Sequence, residues 1–434
     1  MEFNTNINTY SSPSDLKIID IRFADIDNAP MHCTLLKIMT NQGLEGYGEV
    51  RDNGSKYYAA MLKSRLIGEN PCNIDKVFRK IKQFGYHGRQ GGGVSGVEIA
   101  LWDIVGKIYN VPIYQMLGGK FRDKIRLYCD TDVYGKTDAK SMAAALKKRM
   151  SLGFTFLKMD LSLDIIQQES GTLSGPREVL DYVRGKCDEV KTRDYENIPH
   201  PFIGIKLTEK GLNMLEQYVA DVRSEIGYEI PLAVDHIGHI SIEDCIKLCK
   251  RLEKYNLAWV EDPIPWQYVN QFEKLSQSTT TPICTGEDIY LKEGFKPLLE
   301  KRAVSVIHPD ILTCGGIMEL KKISDMAFDS CIAMAIHMAE TPIACLAAAH
   351  CATAVENFLA LEFHSVDVGW WESLVNTSDP ILENGFLKVP ERPGLGIESL
   401  NDEIIREHLS SSVPGLWEST DNWDKFISYD RLWS

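Results

Sequence analysis

The sequence predicts an α/β barrel of parallel strands preceded by a small α+β unit, and three observations carry that prediction. Asp235, Glu261 and Glu287 stand 26 residues apart, each closing a short apolar run (PLAVD, LAWVE, PICTGE). That interval fits one strand, one loop and one helix, so the three carboxylates fall at the same end of successive strands. Strand-like segments recur eight times from Ile125 onward: RLYCDTD, FLKMDL, PLAVDH, LAWVED, PICTGED, AVSVIHPD, CIAMAIH and FLALEFH. Upstream the pattern differs, with consecutive strand-like runs and a short turn in place of helical crossovers.

In chain order, LKIIDIRFADI, MHCTLLKIMT and GLEGYGEV read as strands, with a turn at Asn41-Gln42-Gly43, and helices follow. Residues 1–124 are therefore expected to form one domain and residues 125–375 the barrel. The helix after Asp235 shows the local logic: Ser241 caps it, and Ile242, Cys245, Ile246, Cys249 and Leu252 form one apolar stripe. One interval breaks the rhythm. Lys158 to Asp235 spans 77 residues, so an insertion is expected at about 162–205, either a surface element used in subunit contacts or a lid over the barrel mouth. A tail rich in Pro, Gly and Trp occupies 376–434.

Composition excludes several classes. The 434 residues are 44% apolar and 25% charged, ordinary for a globular protein. No apolar stretch is long enough to span a bilayer, and the polar amino-terminal run MEFNTNINTYSS lacks the features of a secretion signal, so a cytoplasmic protein is expected. Eleven scattered cysteines without a CxxC pair read as reduced core thiols. A net charge of −14 argues against nucleic acid or an anionic membrane as partner. It also means that an anionic substrate needs local positive charge.

Three converging carboxylates make a hard-oxygen site, most simply for Mg²⁺. Downstream strand ends carry proton-moving groups: Asp310 closes AVSVIHPD, His337 closes CIAMAIH and Glu362 closes FLALE, while Lys158 stands in FLKMDL. This series, together with GYGEV (Gly46 to Val50), GVEIALWDIVGK (Gly96 to Lys107), YQMLGGK (Tyr114 to Lys120), and HPD followed by CGG, resembles the mandelate racemase-like branch of the enolase superfamily. The likeness runs from about Leu16 to about Val375.

That resemblance implies a modified (β/α)7β barrel and a capping domain formed by the N-terminal segment and the returning tail. It also implies a Mg²⁺-dependent enzyme that removes the proton α to a carboxylate through an enediolate. Asp235, Glu261 and Glu287 would be the metal ligands. Asp310 would orient His337 as the base, and Glu362 would act as acid or substrate-binding carboxylate. Relatives often carry Lys-x-Lys on the second barrel strand; here it reads Lys158-Met159-Asp160. Lys158 can hold the substrate carboxylate, and Asp160 is expected to pair with a cation unless burial makes it a base. Arg51, Tyr86, His87, Arg89 and His239 are candidate substrate contacts, whereas His236 is expected to point into the barrel wall.

Dehydration needs one well-placed base, which suits the missing second lysine. The expectation is a dehydratase of an acid sugar, aldonate or aldarate, yielding a 2-keto-3-deoxy acid from a homo-oligomeric enzyme. The alternatives are a racemase, epimerase or cycloisomerase on the same scaffold, or a non-catalytic protein that has kept the fold.

Overall fold

In the computed structural model, residues 13–86, 91–176, 180, 205–237, 240–411 and 415–425 are described. Three antiparallel strands open the chain, β1 (Ile18–Ile26), β2 (Cys33–Thr40) and β3 (Glu45–Val50), in the order β1-β2-β3. Helix Val94–Tyr109 lies across them at backbone contact. GYGEV and GVEIALWDIVGK explain this closeness: a Cβ on Gly46 would stand 2.1 Å from the Ala100 carbonyl oxygen, and one on Gly48 would stand 2.0 Å from that of Gly96. Any side chain at either position would push the helix off the sheet.

Eight parallel strands then close into a barrel: β4 (Lys124–Cys129), β5 (Leu157–Asp160), β6 (Leu232–Asp235), β7 (Val260–Glu261), β8 (Ile283–Thr285), β9 (Val306–Ile307), β10 (Ala333–Ile336) and β11 (Phe358–Phe363). Closure comes from β11 pairing with β4, Glu362 opposite Tyr128. Among the described residues seven α-helices connect these strands. After β11 the chain turns through two short 3-10 segments instead of an eighth, giving the (β/α)7β order. All eight expected strands are present. Ser241 caps helix Ile242–Leu252, accepting from the Asp244 N–H.

The barrel interior is filled by one residue from each strand or its lead-in: Tyr128, Phe156, Ala233, Trp259, Cys284, Val306, Ala335 and Ala360. Three large aromatics on one side face small residues on the other, the pairing of sizes that lets a barrel layer fill. Trp259 lies 4.9 Å from Phe156 and 5.4 Å from Tyr128 between ring centroids. This layer is the floor of the barrel mouth.

Two carboxylates clamp the first domain to the barrel. Glu98 accepts the N–H groups of Ile317 and Met318 (2.8 and 3.1 Å) at the start of helix Ile317–Asp329, and Trp102 Nε1–H at 2.7 Å. Glu49 accepts from Thr341 N–H and Oγ1–H at the start of helix Pro342–Thr353. Each satisfies orphan donors where the helix dipole favours negative charge. After β11 the tail adds the hairpin Leu382–Glu383/Phe386–Lys388 antiparallel to β4, then reaches the first domain, where Ile26 bridges Leu409 and Thr420 donates to the Ile21 carbonyl. Most of the expected insertion, 177–179 and 181–204, lies outside the described residues; at its edges Leu173–Ser174 pairs with Lys206–Leu207. No helix of the described residues is long and apolar enough to cross a membrane.

Candidate active site

The C-terminal ends of the barrel strands open into a cavity of about 1140 Å³, roofed on one side by Pro30, Met31, Arg51, Asp52 and Asn53 of the first domain. Asp235, Glu287, Lys158, Asp160 and His337 all line it. Strand ends bring them there because parallel strands of matched register finish at one level: Asp160 pairs directly with Asp235.

Lys158 is buried at the centre. Its Nζ lies 2.9 Å from Asp235, 2.8 Å from Glu261, 2.6 Å from Glu362 and 3.6 Å from Asp130. Burial alone would discharge the amine, but Asp235, Glu261, Glu362 and Asp130 hold its pKa well above the usual lysine range. It is a fixed cation.

His337 Nδ1 sits 2.7 Å from Asp310 Oδ2, and its Nε2 is 3.0 Å from Glu287 and 3.8 Å from Glu362. Asp310 Oδ1 accepts the N–H groups of Leu312 and Thr313, so the HPD turn fixes the carboxylate that orients the ring. Against burial, which favours the neutral ring, Glu287, Glu362 and Asp310 hold the imidazole well above its ordinary value. Burial likewise works against ionised Glu362, yet Lys158, His337 and His364 keep it well below the carboxylate range. Tyr128 donates to Glu362 at 2.9 Å and Trp259 Nε1–H to Glu261 at 2.7 Å, so the floor aromatics aim both carboxylates.

The donor set fits a hard divalent cation. Three carboxylates stand at adjacent strand ends, and burial together with the charge of Asp235 pushes Glu261 up to about 8. Against burial, Lys158 keeps Asp235 and His337 keeps Glu287 below the usual carboxylate range, so of the three it is Glu261 that lacks a full counter-charge, which a divalent cation would supply. As placed, the three are not gathered on one point: Lys158 stands against Asp235 and Glu261, and His337 against Glu287. Among the described residues, the triads with ligand atoms within 4.8 Å of one another are Glu261-Cys284-His308 and His337-Glu362-His364.

Other candidates fall in different places. Asp160 accepts the Val133 N–H at 2.9 Å and lies 3.0 Å from His236 Nδ1. The pairing expected of Asp160 thus has an imidazole as its partner. His236 does not point into the barrel wall: its φ of +62° turns the side chain, 60% exposed, into the cavity. The hydrogen bond to Asp160 raises it to about 10, against burial. Arg51 is buried among carboxylates, and Tyr86 is exposed with its edge against Tyr290, outside the cavity lining. His87, Arg89 and His239 lie outside the described residues. Sequence reasoning passed over Glu340, which pairs with Arg51, and His364, 3.1 Å from Glu362. FLALEFH held the only signal for His364: it lies two residues past Glu362, on the same face of an alternating strand.

Comparison with known proteins gives the family of the chain. Residues 13–118 match the family described as mandelate racemase / muconate lactonizing enzyme, N-terminal domain, and residues 141–403 match that described as enolase C-terminal domain-like. A D-xylonate dehydratase of Haloferax volcanii is 33% identical over 91% of this chain and 89% of its own length. A D-galactonate dehydratase of Ralstonia pickettii is 28% identical over 89% and 93%. Among solved structures, a mandelate racemase/muconate lactonizing enzyme-like protein from Rubrobacter xylanophilus superposes with a TM-score of 0.78 at 27% identity, covering 92% of this chain and 99% of that one.

Proposed function

The chain belongs to the mandelate racemase-like branch of the enolase superfamily, and from that premise we propose that it is a Mg²⁺-dependent hydro-lyase that dehydrates an aldonate to a 2-keto-3-deoxy acid. The observation that carries this reading is the His337-Asp310 dyad opening on a cavity shared with Lys158 and the carboxylates at the strand ends. The dehydratase names of the D-xylonate and D-galactonate relatives support it.

Asp235, Glu261 and Glu287 would hold the ion. When bound there, Mg²⁺ supplies Lewis-acid charge to the substrate carboxylate, offsetting the negative charge that makes an α-proton so weakly acidic. Lys158, held as a cation, faces the same carboxylate and cannot serve as the opposing base. His337 takes the α-proton on Nε2 in its neutral form, reached when Glu287 serves as a metal ligand and no longer holds the ring charged, while Asp310 holds Nδ1–H. Glu362, held ionised, anchors Lys158 and keeps His337 in place. His236, kept protonated by Asp160 and open to the cavity, donates the proton with which the β-hydroxyl leaves as water. The enol then tautomerises to the ketoacid.

An aldonate fits better than an aldarate. Nine carboxylates line the cavity against Arg51, Arg149, Lys158 and protonated His236, and each of these cations is already paired: Arg51 with Asp310, Arg149 with Asp367, His236 with Asp160, and Lys158 with the carboxylates named above. Acidic side chains suit the hydroxyls of a polyol chain and repel a second carboxylate. The test is a panel of aldonates and aldarates incubated with Mg²⁺ while 2-ketoacid is measured. Ketoacid from one or more aldonates is expected. Solvent exchange of the α-hydrogen accompanied by the epimer, with no ketoacid, would make the protein an epimerase.

A further inference from the structure

Arg51, expected to touch substrate, lines the cavity with its guanidinium packed among carboxylates. It follows β3 in the first domain and is 2% exposed. Its Nη1 lies 3.1 Å from Asp310 Oδ2 and 2.6 Å from Asp52, and it also pairs with Glu340; Nη2 is 3.9 Å from Glu287. Asp310 Oδ2 is the oxygen that faces His337 Nδ1. Its other oxygen is held by two backbone N–H groups, so the guanidinium completes the fixing of that carboxylate. Glu340 ties the arrangement together a second time. Its Oε1 meets Arg51 while its Oε2 accepts the Ala339 N–H at 2.8 Å, in the segment that leaves β10 directly after His337.

We propose that Arg51 is a positioning residue for proton abstraction: from the first domain it fixes both the carboxylate that orients His337 and the backbone that carries it. The inference rests on the dehydratase reading above. Asp310, Asp52 and Glu340 gather on the one nitrogen Nη1, which the rigid guanidinium plane holds in place, whereas a lysine ammonium is a shorter, freely rotating point charge that does not reach the same position. The barrel's base is thus aligned only when the first domain is docked on it. A misplacement of about 1 Å at a reacting centre costs about 10²-fold in rate, so turnover is where Arg51 should register.

The experiment compares wild type, Arg51→Lys and Arg51→Ala for steady-state kinetics on the turned-over aldonate, α-hydrogen exchange in D₂O, Mg²⁺ binding by calorimetry and thermal melting. For Arg51→Lys, kcat and the exchange rate should fall together by roughly 10- to 100-fold, with KM and Mg²⁺ affinity within about threefold of wild type. Free guanidinium ion should restore part of the turnover of Arg51→Ala. A raised KM with unchanged kcat would make Arg51 a substrate contact and overturn the proposal, as would full turnover in Arg51→Lys. Should Arg51→Ala fail to fold, the lysine variant alone decides. Failure of wild type to turn over any aldonate counts against the dehydratase reading instead, and exchange measured on whichever substrate is processed still tests Arg51.

Discussion

At the scale of single residues, His337 has the sharpest consequence. Its Nδ1 is committed to Asp310, leaving Nε2 as the one ring nitrogen able to reach a substrate proton. His337→Asn is expected to lower dehydration and α-hydrogen exchange in D₂O by about 10²–10⁴-fold while calorimetry shows Mg²⁺ binding intact. Exchange at the wild-type rate would hand proton abstraction to the opposite face. Glu261→Gln keeps volume and the Trp259 hydrogen bond but removes a charge, so Mg²⁺ affinity and turnover should fall together. Unchanged metal affinity would remove Glu261 from the ligand set. Strand-end chemistry of this kind was legible in the sequence because the repeat of strand and helix places every such residue at one level. The neighbours of those residues were not. Arg51 and Asp310 are 259 positions apart, and the orientation of His236 depends on a left-handed backbone that no residue pattern announces.

At the scale of elements, the clamps between the first domain and the barrel are buried carboxylates at helix starts. Burial, opposed by three hydrogen bonds, pushes Glu98 from 4.5 up to about 8. A raised folded pKa favours the fold at low pH. The contribution is fully present below about 4.5 and is lost as pH rises toward 8, because the unfolded chain gives up the proton first. The loss is at most about 5 kcal/mol across that window. Glu98→Gln cannot ionise, so its stability relative to wild type should improve steadily between pH 5 and 8, even though it starts lower for want of a second acceptor oxygen. Chemical denaturation of both proteins at several pH values measures this, and a difference that does not change with pH would mean Glu98 is not titrating there. GYGEV and GVEIALWDIVGK could be read as a motif from sequence. That they bring backbone against backbone, and place Glu49 and Glu98 on barrel helices, required the assembled packing.

For the whole molecule, a net charge of −14 repels an anionic substrate on approach. At saturating Mg²⁺, raising ionic strength from about 0.01 to about 0.15 M shortens the screening length from about 30 to about 8 Å and should increase kcat/KM for an aldonate. A fall over that range would mean that local cations at the mouth dominate the approach. The same electrostatics predict that aldarates are processed more poorly than aldonates, a comparison the substrate panel reads directly.

Sequence alone was sufficient for the barrel, the order of its strands and the identity of the groups at their ends, because period and residue type are local properties that the chain carries wherever it folds. It could not decide which of those groups are paired. Lys158 gathers Asp235, Glu261 and Glu362, Asp160 takes His236, and Arg51 crosses from the first domain to Asp310. Each pairing joins residues from different strands or domains. Whether a buried charge binds substrate, holds a neighbour or moves a proton depends on the field of those partners and on the water excluded around it, and only the closed tertiary structure sets either.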